Sequence, residues 1–261
     1  MANLLKAYSE RFFESSRIKE LIFFLFLIIS YSASAQEGAF SPAERDRIKE
    51  ITREYILENP GIIAEAITLL QTQQKDAQLE RQKERIKSLA SELRNPPEET
   101  IIGNPDGKVT VVEFFDYNCG YCKSMFDTVL QTVQQNDELR IVLIEFPILG
   151  PNSVTASKAA LAAREQNLYG PFHQALMSHR GSLNESVIMT LARGVGLNTS
   201  KLKEDMSNPE ISAIIDKNRA IAQDLEISGT PAFVVGSTLV PGALSREQFE
   251  SLIEQAADSS S

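Results

Sequence analysis

Lys108-Val109-Thr110-Val111-Val112-Glu113-Phe114-Phe115-Asp116-Tyr117 runs straight into Asn118-Cys119-Gly120-Tyr121-Cys122-Lys123. The first part is β-branched and aromatic, the composition of a buried strand. The second puts a C-x-x-C pair where that strand hands over to a helix, from Lys123 to about Gln135. Unpaired N–H groups and the macrodipole at a helix start favour negative charge. Cys119 is therefore expected to carry thiolate character, and the thiolate is the nucleophilic form. Cys122, one turn on, is within reach and is expected to be the more buried sulfur. In such a pair Cys119 attacks or accepts a disulfide and Cys122 resolves the mixed disulfide. Two other readings compete. Half of a metal site would need His173 or His179, which lie far along the chain. An inert structural bridge would constrain little unfolded-state entropy across so short a loop.

Downstream, Leu139 to Phe146 reads as a second strand, apolar enough to be buried on both faces. From Ser153 to about Ile227 the pattern is helical in pieces, chiefly Ala156–Ala163, Phe172–His179, Glu185–Val195 and Pro209–Leu225. Ser228-Gly229-Thr230-Pro231 opens a strand, Ala232 to Val235. A proline there suits an edge position or a cis bond. Gly236-Ser237 is a two-residue hairpin turn to Leu239-Val240, and Ser245 caps a last helix through about Ala256. The reduced order is β-α-β, a helical insertion, then β-β-α, with no internal repeat.

Upstream, Ser41-Pro42-Ala43-Glu44 is a capping box with proline at the first helical position. The helix it starts should run to about Glu58, with Ile48, Ile51, Tyr55 and Ile56 on one side. Asn59-Pro60 breaks it. A second helix is expected from about Gly61 to Leu93, with Ile63, Ile67 and Leu70 at four-three spacing. Such an arm cannot bury its stripe on itself, so self-association is expected, as a dimer or alternatively a trimer. A solvated helix resting on the chain's own body is the other reading. Asn95-Pro96-Pro97-Glu98-Glu99 reads as a linker. Before the arm, Lys6, Arg11, Arg17 and Lys19 precede the uncharged apolar run Leu21 to Ile29. That run is too short to span a bilayer core of roughly 30 Å. With Ala33-Ser34-Ala35 it has the form of a cleaved secretory signal over residues 1–35; an uncleaved anchor is the alternative. Export, here to a periplasm, would put both cysteines where a disulfide persists. The expected organisation is a signal peptide (1–35), a helical arm with linker (36–97) and an α/β body (98–261) carrying a helical insertion at about 150–227.

Of 261 residues, 26 are Lys or Arg and 35 Asp or Glu, a formal net charge of -9. That balance argues against a nucleic-acid partner, which needs a basic face. Only two cysteines are present, too few for a disulfide-stapled mini-scaffold. No cofactor or metal is called for.

Phe114 to Lys123, followed by Gly229-Thr230-Pro231, resembles the DsbA family of thioredoxin-fold thiol oxidoreductases, over about Asn104 to Ala256. The arm, with Leu57-Glu58-Asn59-Pro60, resembles the oligomeric exported branch that includes ScsC-like and Com-like proteins. The resemblance implies a thioredoxin fold with an inserted helical domain behind a helical oligomerisation arm. It implies Cys119 as an exposed nucleophile, Cys122 as the resolving thiol and Pro231 as a cis-proline facing them. Thr230 would offer backbone groups to an extended client segment. Glu113 would be a buried acid assisting proton transfer near Cys122; the plain alternative is a strand residue facing solvent. The dipeptide Gly120-Tyr121 departs from the Pro-His of the DsbA type. It is similar to the isomerase DsbC, as is Thr230 before the proline. Loss of that histidine implies a less oxidising centre and leans toward isomerisation, or a dual role. Implied partners are unfolded or misfolded cysteine-containing clients and a membrane redox partner, DsbB-like or DsbD-like. A non-catalytic thioredoxin-like chaperone or surface binding protein, and a copper-handling protein, are the readings from other classes.

Overall fold

The computed structural model describes residues 40–97 and 100–258. The expected signal peptide, and Glu98 and Glu99 of the linker, lie outside the described residues. The chain divides into two compact units, one up to Thr72 and one from Gln73.

In the first unit, helix α1 spans Pro42–Glu58 and α2 begins at Gly61, running to Ser88. The capping box forms as the sequence asks. The Ser41 hydroxyl accepts the Glu44 N–H at 3.3 Å, and the Glu44 carboxylate accepts the Ser41 N–H at 2.8 Å. Asn59 leaves helical geometry at φ -126°, ψ 60°, as a residue before proline must. No residue of α1 is buried, and Ile48, Ile51, Tyr55, Ile63, Ile67 and Leu70 are all exposed.

The second unit holds a five-stranded sheet: β1 Ile101–Gly103, β2 Val109–Phe115, β3 Leu139–Glu145, β4 Ala232–Val235 and β5 Thr238–Pro241. Their order is β1-β3-β2-β4-β5. β2 and β3 are parallel; every other pairing is antiparallel. Helix α4, Gly120–Gln135, makes the crossover that a parallel pair requires. Alternation along β2 sorts its residues to two faces. Val109, Val111 and Phe115 join Met125, Phe126 and Val129 of α4 and Phe249 and Ile253 of α10, Arg246–Asp258. Val112 and Phe114 face the other way, against Ile221, Ala222 and Leu225, with Ile86 and Leu93 in the same cluster. Each fully buried large side chain removes enough apolar area to contribute about 1.5–3 kcal/mol. The insertion between β3 and β4 is helical: α5 Pro151–Ala162, α6 Tyr169–Ser178, α7 Glu185–Gly194, α8 Thr199–Asp205 and α9 Pro209–Asp224. This is the thioredoxin fold with an inserted helical domain that the sequence led one to expect.

Two local expectations need correction. The second helix does not run unbroken to Leu93. It ends at Ser88, Leu89 takes φ -95°, ψ 7°, and a short α3, Ala90–Arg94, follows. The break accompanies the burial of both Ile86 and Leu93 in the second cluster. Strand β1 was not anticipated at all. It pairs Ile101 to Gly103 with Val142 to Arg140 and forms the outer edge of the sheet.

Candidate active site

The end of β2 and the start of α4 build the dithiol turn. Cys119 is the N-cap of α4, with φ -76° and ψ 115°, and its sulfur accepts the Cys122 backbone N–H at 3.4 Å. A sulfur thus occupies the place that Ser, Asn or Asp takes in other helices. On its other side the thiol donates to the Thr230 carbonyl at 3.2 Å. The Thr230–Pro231 bond is cis. Residues 111 positions apart in sequence meet at one sulfur.

The electrostatics split the pair. Hydrogen bonding with Cys122 pulls the Cys119 thiol down to about 5; burial opposes this, while the Thr230 side chain and the backbone N–H groups of Cys122 and Tyr121 assist. The same bond, with burial, pushes Cys122 up. At neutral pH Cys119 is the thiolate and Cys122 the thiol. Glu113 is 3% exposed, set between Leu143 and Phe233 in the sheet, so it does not face solvent. Burial first, and the nearby Cys119 charge second, push its carboxyl up to about 8. Its charge also raises Cys122.

The sequence expectation of an exposed Cys119 is corrected: the residue is only 6% exposed, because the Thr230–Pro231 turn lies over its sulfur. Tyr121 stands out instead, at 70%. A Cβ added at Gly120 would meet nothing within 4 Å, so the glycine is not there for want of space.

Sequence reasoning missed the groups that hold this turn. Asp116 is fully buried. Its carboxylate accepts the N–H of Asn118 at 2.7 Å and those of Ile148 and Leu149 at 2.9 Å each. It thereby ties the dithiol turn to the loop after β3. Asn118 donates to the Ser153 hydroxyl at 3.1 Å and accepts the Leu183 N–H at 3.3 Å, reaching the insertion. Lys123 is buried and donates to the carbonyls of Leu176, at 3.1 Å, and His179, at 2.6 Å. A cation at the carbonyl end of α6 is where the helix dipole favours one. Deeper, Glu145 accepts from Tyr117 at 3.0 Å, Tyr169 at 3.1 Å and Ser157 at 2.7 Å. Tyr117 also meets His173 Nδ1 at 3.0 Å. Burial holds His173 down at about 3, so it is neutral. The available signal was polar residues at the ends of two otherwise apolar strands, Asp116 and Glu145.

A dithiol at a helix N-terminus, facing a cis-proline on a thioredoxin sheet, defines a thiol:disulfide oxidoreductase of the thioredoxin superfamily. Residues 110–254 match the model of the DSBA-like thioredoxin domain, and the chain belongs to that family. Residues 44–77 match the copper resistance protein ScsC N-terminal domain. A thioredoxin-like oxidoreductase from Silicibacter pomeroyi is 45% identical, with a TM-score of 0.63, and the match covers 64% of this chain and 97% of that one. Proteus mirabilis ScsC in a transitional conformation is 29% identical, TM-score 0.63, over 85% of this chain and 98% of that one. Among curated proteins the chain matches the Na(+)/H(+) antiporter NhaA 1 of Salinispora arenicola, 25% identical over 62% of this chain; it spans 25% of that relative's length.

Proposed function

We propose that the chain is an exported, self-associating enzyme that exchanges disulfides with client proteins, with isomerisation as a principal activity. The observation that carries this reading is the Cys119 sulfur, held as a thiolate by the Cys122 N–H beside the Thr230 carbonyl. In the reductive direction the Cys119 thiolate attacks one sulfur of a client disulfide. A Cys119–client bond forms, the client S–S bond breaks, and the second client sulfur leaves as a thiolate. Cys122 then loses its proton and attacks the Cys119 sulfur. The protein disulfide forms and the client's first sulfur departs, so the client gains the two electrons that the protein gives up. Glu113, in its ionised state, is the base placed to take the Cys122 proton. Reversal of the steps oxidises a client. In isomerisation the freed client thiolate attacks a different client disulfide and releases a new client thiolate; that thiolate attacks the client sulfur still bound to Cys119, a new client disulfide forms, and Cys119 leaves as the thiolate it began as.

Pro231 and Thr230 cover the sulfur, and the open Gly120-Tyr121 face leaves room for an extended client segment. With no histidine in that dipeptide, the thiolate loses one electrostatic stabiliser, which favours a less oxidising centre. Support for oligomerisation comes from the exposed stripe of the arm, residues 36–97 with the linker, and from the match of residues 44–77 to the ScsC N-terminal domain. We read the assembly as a dimer, with a trimer as the alternative. Several dithiols on one assembly would hold one misfolded client at more than one point. Export follows from the reading of residues 1–35 as a signal and from a periplasmic thioredoxin-like protein of Salmonella enterica among the similar structures. A DsbB-like or DsbD-like membrane protein would reset the dithiol.

The test is refolding of scrambled ribonuclease by the reduced protein. Recovery of activity well above a Cys119→Ser control is expected; recovery equal to that control refutes isomerisation. The copper-resistance domain matched by residues 44–77 favours a second reading, copper handling. Metal analysis of the purified chain separates the two, because a redox enzyme needs no bound copper.

A further inference from the structure

A second site lies at the other end of the sheet from the dithiol. β2 carries the chain from Val109 to Phe115, roughly 20 Å at about 3.3 Å per residue, before it reaches the Cys119 turn. At the entry end, a cleft of about 570 Å³ takes Thr110 and Val112 from β2 and the β4–β5 turn around Gly236. That volume falls in the range of small-molecule sites. Its floor is aliphatic: Leu93, Val112, Val234 and Leu252.

The rim has the opposite character. Lys83, Lys87 and Arg94 line it from α2 and α3, and Glu84 is the one acidic residue among the lining. Lys83 is engaged by Glu80 at 2.7 Å. Lys87 and Arg94 are exposed and form no ion pair among the described residues. Arg140 adds a cation behind them, donating to the Arg94 carbonyl at 2.5 Å, and its Nε is buried without a partner. Cations gathered over an aliphatic floor, two of them without an ion pair among the described residues, run against the trend of a chain with net charge -9. Among the described residues no aromatic side chain lines the cleft, so they offer nothing on which a base or another ring could stack.

We propose that this cleft binds a medium-chain amphiphilic carboxylate, its tail on the Val112–Val234 floor and its head group between Lys87 and Arg94. One wall is the Lys83–Arg94 segment, so an occupant would brace that segment against the sheet. The site is independent of the dithiol chemistry, and its failure would leave the oxidoreductase reading untouched.

Calorimetric titration of the full chain with decanoate tests it. Saturable binding of one decanoate per chain is expected, with 1-decanol at least tenfold weaker for want of a head charge. Lys87→Glu with Arg94→Glu should weaken decanoate at least tenfold while insulin reduction stays unchanged. Ala90→Trp, which fills the cleft without altering its charge, should also abolish binding. Amide exchange over residues 83–94 should slow when decanoate is present. Absence of saturable binding, equal binding of 1-decanol, or unaltered affinity in both variants would overturn the proposal.

Discussion

The two compact units of this chain treat apolar surface in opposite ways. Helix α1 buries nothing, and Ile51, Tyr55, Ile67 and Leu70 are each about half exposed. Beyond Leu79, the large apolar side chains left exposed among the described residues are Tyr121, Ile148 and Leu149. All three flank the dithiol, since Asp116 holds the Ile148–Leu149 backbone to the turn before Cys119. One unit leaves its stripe exposed; the other places its apolar groups in its own core and keeps a few beside the reactive sulfur. Contiguous exposed apolar surface marks interaction. On the proposed function, association and chemistry belong to separate parts of the chain, so each should be removable alone.

The largest effect should come from Cys119→Ser. Turnover of insulin disulfides is expected to fall to the rate without protein, because Cys122 is pushed up and stays protonated. Sedimentation should show the oligomer unchanged. A shift in association would mean that the dithiol region takes part in assembly.

Next comes a pair of truncations. Phe233 is fully buried and packs on Phe249 at a centroid distance of 5.3 Å. Phe233→Ala should cost about 3–5 kcal/mol in denaturant unfolding of the body. Leu70→Ala, on the exposed stripe, should change that transition by no more than ~0.5 kcal/mol while weakening self-association. Equal costs at the two positions would erase the contrast.

Within the body, two buried carboxyls sharpen the point. Burial pushes both Glu113 and Glu145 up to about 8. A folded-state value above the unfolded 4.5 means that the native protein binds the extra proton between those limits. Each group therefore costs stability progressively as pH rises from 4.5 to 8, and the full cost is present above 8. Glu113→Gln should remove that cost, raising stability at pH 8 relative to pH 4.5 by on the order of 4 kcal/mol. Glu145→Leu should instead destabilise, by about 1–3 kcal/mol, because Tyr117, Tyr169 and Ser157 lose their shared acceptor. Unfolding curves at the two pH values check both.

What the sequence disclosed follows the range of the interaction concerned. Strands β2 and β3 and helix α4 were legible because β-branched runs and a C-x-x-C at a helix start are local signals. The capping box at Ser41 and the break at Asn59-Pro60 were equally local. β1 escaped because three residues carry no period, and the turn at Leu89 because it answers to a sheet face that only the fold supplies. Cys119 lost its expected exposure to Thr230, far along the chain. The Asp116 and Glu145 networks were invisible for the same reason: their partners come from the loop after β3, from α5 and from α6. The motif was readable, and its scaffolding was not.

The smallest effect tests the arm by itself. Ser41→Ala removes the acceptor for the Glu44 N–H and the hydroxyl that donates to the Glu44 carboxylate, while the Ser41 backbone N–H keeps its own bond to that carboxylate. An N-cap loss of this kind costs about 1 kcal/mol. In the body such a loss would be diluted by packing. In α1 no buried side chain holds the helix, so the cap and Pro42 are what keep the first turn formed. Faster amide exchange at Glu44 and Arg45 is expected, with slightly weaker self-association. Insulin reduction should be unaltered, since that step needs only the Cys119 turn and Thr230. Scrambled-ribonuclease refolding, which gains from several dithiols on one assembly, should fall modestly. A drop in insulin reduction as well would mean that the cap's energy reaches the dithiol, and the two units could no longer be treated as separate instruments.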